Sequence, residues 1–153
     1  MKMKTNLFNR YIKGILLAAA VVVFTVCELP VITDSYEPND SYSDAAAITV
    51  GASISATIQP EGDQDFYKVT VSSEEDSVQI SYNLDVPGSI RPEVRFYFNE
   101  NDPAYIKHNN TPGASLSDEL KVPAGEFVVL VRSVGFEESD TFYHFKLSLV
   151  ASK

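Results

Sequence analysis

Apolar side chains that recur at every second position restrict the fold of this chain more than any other feature. From Ser77 to Leu84 they fall at Val78, Ile80, Tyr82 and Leu84, the period that places them on one face of an extended strand. The same rhythm runs through Tyr67, Val69 and Val71, through Val94, Phe96 and Phe98, and through Tyr143, Phe145, Leu147 and Leu149. Phe127 to Val131 is apolar at consecutive positions, as expected of a strand covered on both faces. Turn signals separate the runs at Gly51, Pro60-Glu61-Gly62, Pro87-Gly88, Pro112-Gly113, Pro123-Ala124-Gly125 and Gly135. One helical turn is predicted within 39–47, where Asp40 or Ser41 can serve as N-cap ahead of three alanines. With no helix long enough to cross between parallel strands, the pattern predicts an all-β fold: an antiparallel sandwich of about eight strands.

Charge divides the chain in two. Of 12 Lys and Arg, four (Lys2, Lys4, Arg10 and Lys13) precede the single cysteine, Cys27. The remaining 8 face all 21 Asp and Glu, a balance of −13. Such a surface repels phosphate backbones and offers no polybasic patch to anionic lipid, which argues against nucleic-acid binding. The composition, 44% hydrophobic with 8 Tyr and 9 Phe, is that of a folded domain with an aromatic core. About 120 residues suffice to bury such a core without disulfides.

The first 27 residues read as an export signal. A basic stretch precedes the apolar run from Ile15 to Phe24, which ends at Glu28, short of the roughly 20 residues a spanning helix needs. The expected arrangement is a signal-peptide helix over 1–27, a tether over 28–36 and the β-domain over 37–153. Cys27, just after the apolar run, resembles the lipobox cysteine of bacterial lipoproteins, with Phe24 and Val26 at the flanking box positions. That resemblance implies a lipid anchor at Cys27 and attachment to the membrane of the cell envelope. The alternative is an ordinary apolar residue closing the signal; lipidation would consume a thiol that has no disulfide partner.

Three segments carry a second resemblance: Glu37-Pro38-Asn39-Asp40-Ser41, Asp63-Gln64-Asp65-Phe66-Tyr67-Lys68-Val69-Thr70-Val71, and Leu120-Lys121-Val122-Pro123-Ala124-Gly125-Glu126-Phe127-Val128-Val129, followed by Tyr143-His144-Phe145-Lys146-Leu147. In this order and spacing they resemble the bacterial pre-peptidase C-terminal domain, over roughly residues 36 to 150. The resemblance implies a jelly-roll-like β-sandwich that accompanies exported enzymes and binds or positions something, although no enzyme domain is present in this sequence. It also implies calcium, because collagen-binding members hold it with the segments matching Glu37, Asn39, Asp40, Asp63 and Asp65. A further acid of those relatives corresponds to Ser35, with Asp34 one place away. The residues suit the chemistry, since calcium takes six to eight oxygen ligands from carboxylates and carbonyls. An equally simple reading makes Asn39, Asp40 and Ser41 helix caps and gives Asp63 and Asp65 loop amides to bind.

Catalytic motifs are lacking. His108 reads as a loop tip and His144 as a solvent-facing strand position, with no zinc-ligand spacing around either. Gly113-Ala114-Ser115-Leu116-Ser117 lacks the second glycine of a nucleophile elbow. Glu74-Glu75-Asp76 and Glu137-Glu138 read as solvated turns. Phe66, Tyr97 and Phe142 fall opposite the core positions of their strands, where they serve either edge packing or ligand contact. The expected function is a non-catalytic, envelope-anchored module that binds extracellular protein or polysaccharide, with calcium as its cofactor. The alternatives are a docking domain for a separately encoded secreted protease and a structural envelope protein without a specific ligand.

Overall fold

A computed structural model describes residues 34–151. The signal peptide, Cys27 and most of the predicted tether lie outside the described residues. The alternating segments form strands as their period requires. In chain order these are β1 (Ala46–Ile48), β2 (Ser53–Ile58), β3 (Gln64–Val71), β4 (Ser77–Asp85), β5 (Pro92–Tyr97), β6 (Pro103–His108), β7 (Leu116–Pro123), β8 (Gly125–Ser133) and β9 (Ser139–Leu149). They build a five-stranded sheet, ordered β1-β3-β8-β5-β6, and a four-stranded sheet, ordered β2-β9-β4-β7. Every pairing is antiparallel except β1 with β3. No helix among the described residues is long and apolar enough to cross a membrane.

The main core lies between the sheets. Tyr67, Val69, Phe96, Phe127, Val129, Tyr143, Phe145 and Leu147 all point into it. β8 occupies the middle of its sheet and is covered on both faces, as its unbroken apolar run predicts. Phe127, Val129 and Val131 join the main core, while Val128 and Leu130 form a second cluster with Tyr97 on the outer face. Tyr42, Ala45 and Phe66 pack against that cluster, so Phe66 and Tyr97 are packing residues and Phe142 alone of the three is exposed.

Some expectations need correction. The sandwich of about eight strands is present, with nine strands among the described residues, but one pair is parallel where all were expected antiparallel. The alanines are not helical: a 3₁₀ turn at Tyr42–Asp44, capped by Ser41, stops at Ala45, and Ala46-Ala47-Ile48 pair with Tyr67, Lys68 and Val69. One short turn cannot repay helix nucleation, whereas the edge of β3 offers the same residues a ladder. His108 ends β6 instead of sitting at a loop tip. Leu149 keeps the alternation but is 57% exposed at the end of β9. Asp34 and Tyr36, within the predicted tether, belong to the domain: Asp34 is buried and accepts from the Thr57 amide at 3.1 Å, and Tyr36 packs edge-on to Tyr67.

The open side of the sandwich between β6 and β7 is stapled by side chains. Tyr105 and Lys107 both donate to Asp118 Oδ2 at 2.8 Å. The glycine of the turn before β7, Gly113, has φ of +73° and lies close enough to Gly88 that a Cβ would approach the Gly88 Cα to 3.0 Å. Two loops therefore touch backbone to backbone there.

Candidate metal centre

The topology brings together the two acidic segments that the sequence separates by more than twenty residues. The main chain of Asn39 accepts from the Phe66 amide at 2.9 Å, which fixes the Glu37-Pro38-Asn39-Asp40 segment beside the start of β3. Asp63 and Asp65 lie at that start. Carboxylate oxygens of Asp34, Glu37 and Asp65 come within 4.8 Å of one another, and so do those of Glu37, Asp40 and Asp63. Glu37 belongs to both groups, so five carboxylates form one continuous array.

Glu37, Asn39, Asp40, Asp63 and Asp65, the predicted ligands, are thus neighbours. Asp34 completes the array, although its position one place off the expected register concealed it in the sequence. Only Asp40 is exposed, and Glu37 is half-buried. Asn39 and Asp65 are fully buried, and Asp34 and Asp63 nearly so.

Loop amides meet part of this demand, as the capping alternative anticipates. Asp34 accepts from the amides of Tyr36 and Thr57, Asp63 Oδ2 from the Gln59 amide at 2.7 Å, and Glu37 from the Asn39 amide at 3.2 Å. Ser41 caps the 3₁₀ turn. Those contacts leave a remainder. Asn39 Oδ1, Gln59 Oε1, Asp63 Oδ1 and Asp65 Oδ1 are buried without a hydrogen-bond partner. Every one is an oxygen acceptor, and a buried acceptor left unsatisfied costs on the order of 1–3 kcal/mol.

A buried relay orients Asp65. The Tyr143 hydroxyl donates to Asp65 Oδ2 at 2.8 Å, and the Tyr67 and Tyr143 hydroxyls are 2.5 Å apart. With its one proton committed to Asp65, Tyr143 accepts from Tyr67. Both tyrosines were legible as core residues from their alternation, but their polar role was not. The available signal was that a buried tyrosine hydroxyl requires a partner.

The electrostatics follow from burial. The ion pairs among the described residues join Lys68 to Glu126, Arg91 to Glu137, Arg95 and Arg132 to Glu93, and Lys107 to Asp118. None reaches the array. Burial therefore raises the Glu37 carboxyl above its ordinary value, with Asp40 and Asp34 adding to it. Burial pushes Asp63 up to about 7, aided by Asp40 and Glu37. Asp65, desolvated and facing Asp63, is pushed up to about 9. Like charges this close either hold protons or attract a cation.

The donor set is all oxygen. It contains no His or Cys, which disfavours zinc and suits a hard cation such as calcium. The orphaned oxygens of Asn39, Asp63 and Asp65 fit the calcium that the family resemblance implies. Elsewhere, Ser55 Oγ and His144 Nδ1 lie 2.9 Å apart on the exposed side of β2 and β9. No carboxylate hydrogen-bonds that imidazole among the described residues, so the pair lacks the third member that orients a catalytic base.

Comparison with solved structures places this architecture. The chain superposes on the crystal structure of the pre-peptidase C-terminal domain of a collagenase from Bacillus anthracis with a TM-score of 0.55. The match covers 67% of this chain and 92% of that one. The fold is similar to that of a pre-peptidase C-terminal domain. At 12% identity the likeness carries the fold alone. The sequence matches no protein-family model and no curated protein.

Proposed function

We propose that this chain is a pre-peptidase C-terminal module, exported and lipid-anchored through Cys27, that acts by binding and not by catalysis. Its ligand class is extracellular protein or glycan at the bacterial cell envelope. Calcium, held by Asp34, Glu37, Asn39, Asp40, Asp63 and Asp65, is its resident cation. The supply of positive charge to a carboxylate array that has no basic partner is what the ion contributes. The observation that carries the cation is the set of buried, unpartnered oxygens on Asn39, Asp63 and Asp65.

Calcium titrated into metal-free protein at pH 8 should give saturable binding of one ion per chain by calorimetry. No heat up to millimolar calcium would remove the cation from the proposal. A second reading, docking onto a separately encoded secreted protease, draws support from the collagenase origin of the structural neighbour. Pull-down from envelope extracts separates the two, since a protease in the eluate favours docking and glycan or matrix protein favours the first reading.

Support for the anchor comes from the sequence alone. Cys27→Ala should release the protein from membranes and abolish metabolic labelling with palmitate. Retention of the variant on membranes, with no label on the wild type, would sink the anchor.

A further inference from the structure

The three arginines among the described residues, Arg91, Arg95 and Arg132, lie on β5 and β8 or directly beside them. On the outer face of the five-stranded sheet Glu93 stands opposite Arg132 on β8 and next to Arg95 on its own strand. Its Oε1 accepts from Arg95 Nε at 2.6 Å and from Arg132 Nε at 2.6 Å. Glu93 is buried, and its carboxyl sits below the ordinary value because the two arginines outweigh the effect of burial. One buried carboxylate thus aligns two guanidiniums, and the trio carries a net positive charge in a domain that is otherwise strongly acidic.

Both arginines spend Nε on Glu93, and Arg95 also bonds the Tyr97 side chain, so the fork that each guanidinium has left for a carboxylate is the end-on one through its Nη groups. The side chains keep 25% and 28% of their surface open. Their rotamers are already ordered, which lowers the cost of engaging a ligand. Apolar surface adjoins them. Ile106 pairs with Arg95 from β6 and is 48% exposed, and Phe66, half-buried, lies across Leu130 from Arg95.

Resting on the reading of the domain as a binding module, the geometry points to a ligand class: this face takes a glycan bearing isolated carboxylates, such as a uronic acid spaced among neutral sugars. The two guanidiniums hold one carboxylate, and exposed Ile106 beside Arg95 meets an apolar ring face. The donors sit on the middle strands of the sheet, so an extended peptide cannot use them while adding a strand at an edge. The net negative charge of the domain disfavours densely charged chains such as nucleic acid and admits sparse ones, whose charges are screened from one another over about 8 Å at physiological salt.

The test uses the full-length chain in non-ionic detergent with EDTA present, so that no cation bridges protein and glycan. Hyaluronan oligosaccharides, with one carboxylate per disaccharide, should bind saturably and weaken as salt rises. The same oligosaccharides with carboxyls reduced to alcohols should bind at least tenfold more weakly. Arg95→Lys and Arg132→Lys keep a positive partner for Glu93 but lose the fork, and each should weaken binding about tenfold with a melting temperature near that of the wild type. Absence of binding, equal binding of the reduced glycan, equal affinity in both lysine variants, or equal binding of poly-L-glutamate would each overturn the assignment. Failure of the non-catalytic reading is visible separately, as new reducing ends on the incubated glycan.

Discussion

In EDTA the protein should melt at a lower temperature as pH rises from 5 to 8, and millimolar calcium at pH 8 should raise the melting temperature by about 10 °C. Burial raises Asp63 to about 7 and Asp65 to about 9, while in the unfolded chain both titrate near 4. Between those limits the folded state binds more protons than the unfolded state, so stability declines with pH. The protonated carboxyls contribute fully below about pH 4, and that contribution is lost through pH 7 for Asp63 and pH 9 for Asp65. Glu93 and Glu137 are shifted downward and act in the opposite sense, but below pH 5. Calcium replaces the protons and reverses the trend. At a concentration 100 times its dissociation constant it adds about 2.7 kcal/mol, which for a domain of this size is about 10 °C. Scanning calorimetry at pH 5, 6.5 and 8, with and without calcium, checks both halves. A melting temperature indifferent to pH and to calcium would leave the carboxylates as ordinary loop acceptors.

Asp65→Asn should stabilise the metal-free protein at pH 8 and remove most of its response to calcium. The amide keeps an oxygen for the Tyr143 hydroxyl and carries no charge to repel Asp63, which together with desolvation is what raises Asp65. At pH 8 folding of the metal-free protein must place a proton on Asp65, which the unfolded chain leaves ionised, and the amide escapes that cost, worth at least about 1–3 kcal/mol, a gain of several degrees in EDTA. With a central anionic ligand gone, the shift on adding calcium should fall below a third of the wild-type value. Thermal melts of the two proteins side by side give the answer. If Asp65→Asn lowers the melting temperature equally in EDTA and in calcium, Asp65 serves only the tyrosine relay.

The legible parts of the fold were those where burial writes a period into the sequence. β3, β4, β5 and β9 each carry a core face whose alternation is visible, and β8 shows its burial on both faces as an unbroken apolar run. The strands at the sheet edges carry less of it: β7 displays Asp118, Glu119 and Lys121 to solvent, and β6 has Tyr105 as its main core contact. β1 is set by the free edge of β3 and not by its alanines, whose intrinsic preference is helical. At the site, Glu37, Asn39, Asp40, Asp63 and Asp65 were legible because a family pattern spans them. Asp34 showed only as an acid one place off the family register and the orphaned Gln59 oxygen not at all, since their membership depends on how loops converge. The arginine pair was equally hidden, because Arg95 and Arg132 are far apart in sequence and meet only through the register of β5 with β8.

The parallel pairing of β1 with β3 has a mechanical side. Three strand pairs, the Asn39 clamp and the packing of Tyr36, Tyr42 and Ala45 are what tie the segment from Asp34 to Ile48 to the five-stranded sheet, and that segment carries Asp34, Glu37, Asn39 and Asp40. Force applied from any attachment upstream of Asp34 enters the domain through it, ahead of the longer ladders of β3 and β8. An ion shared between this segment and Asp63 and Asp65 would act as a rivet at the point where the pull arrives. The domain would then yield at different tensions in calcium-rich and calcium-poor surroundings.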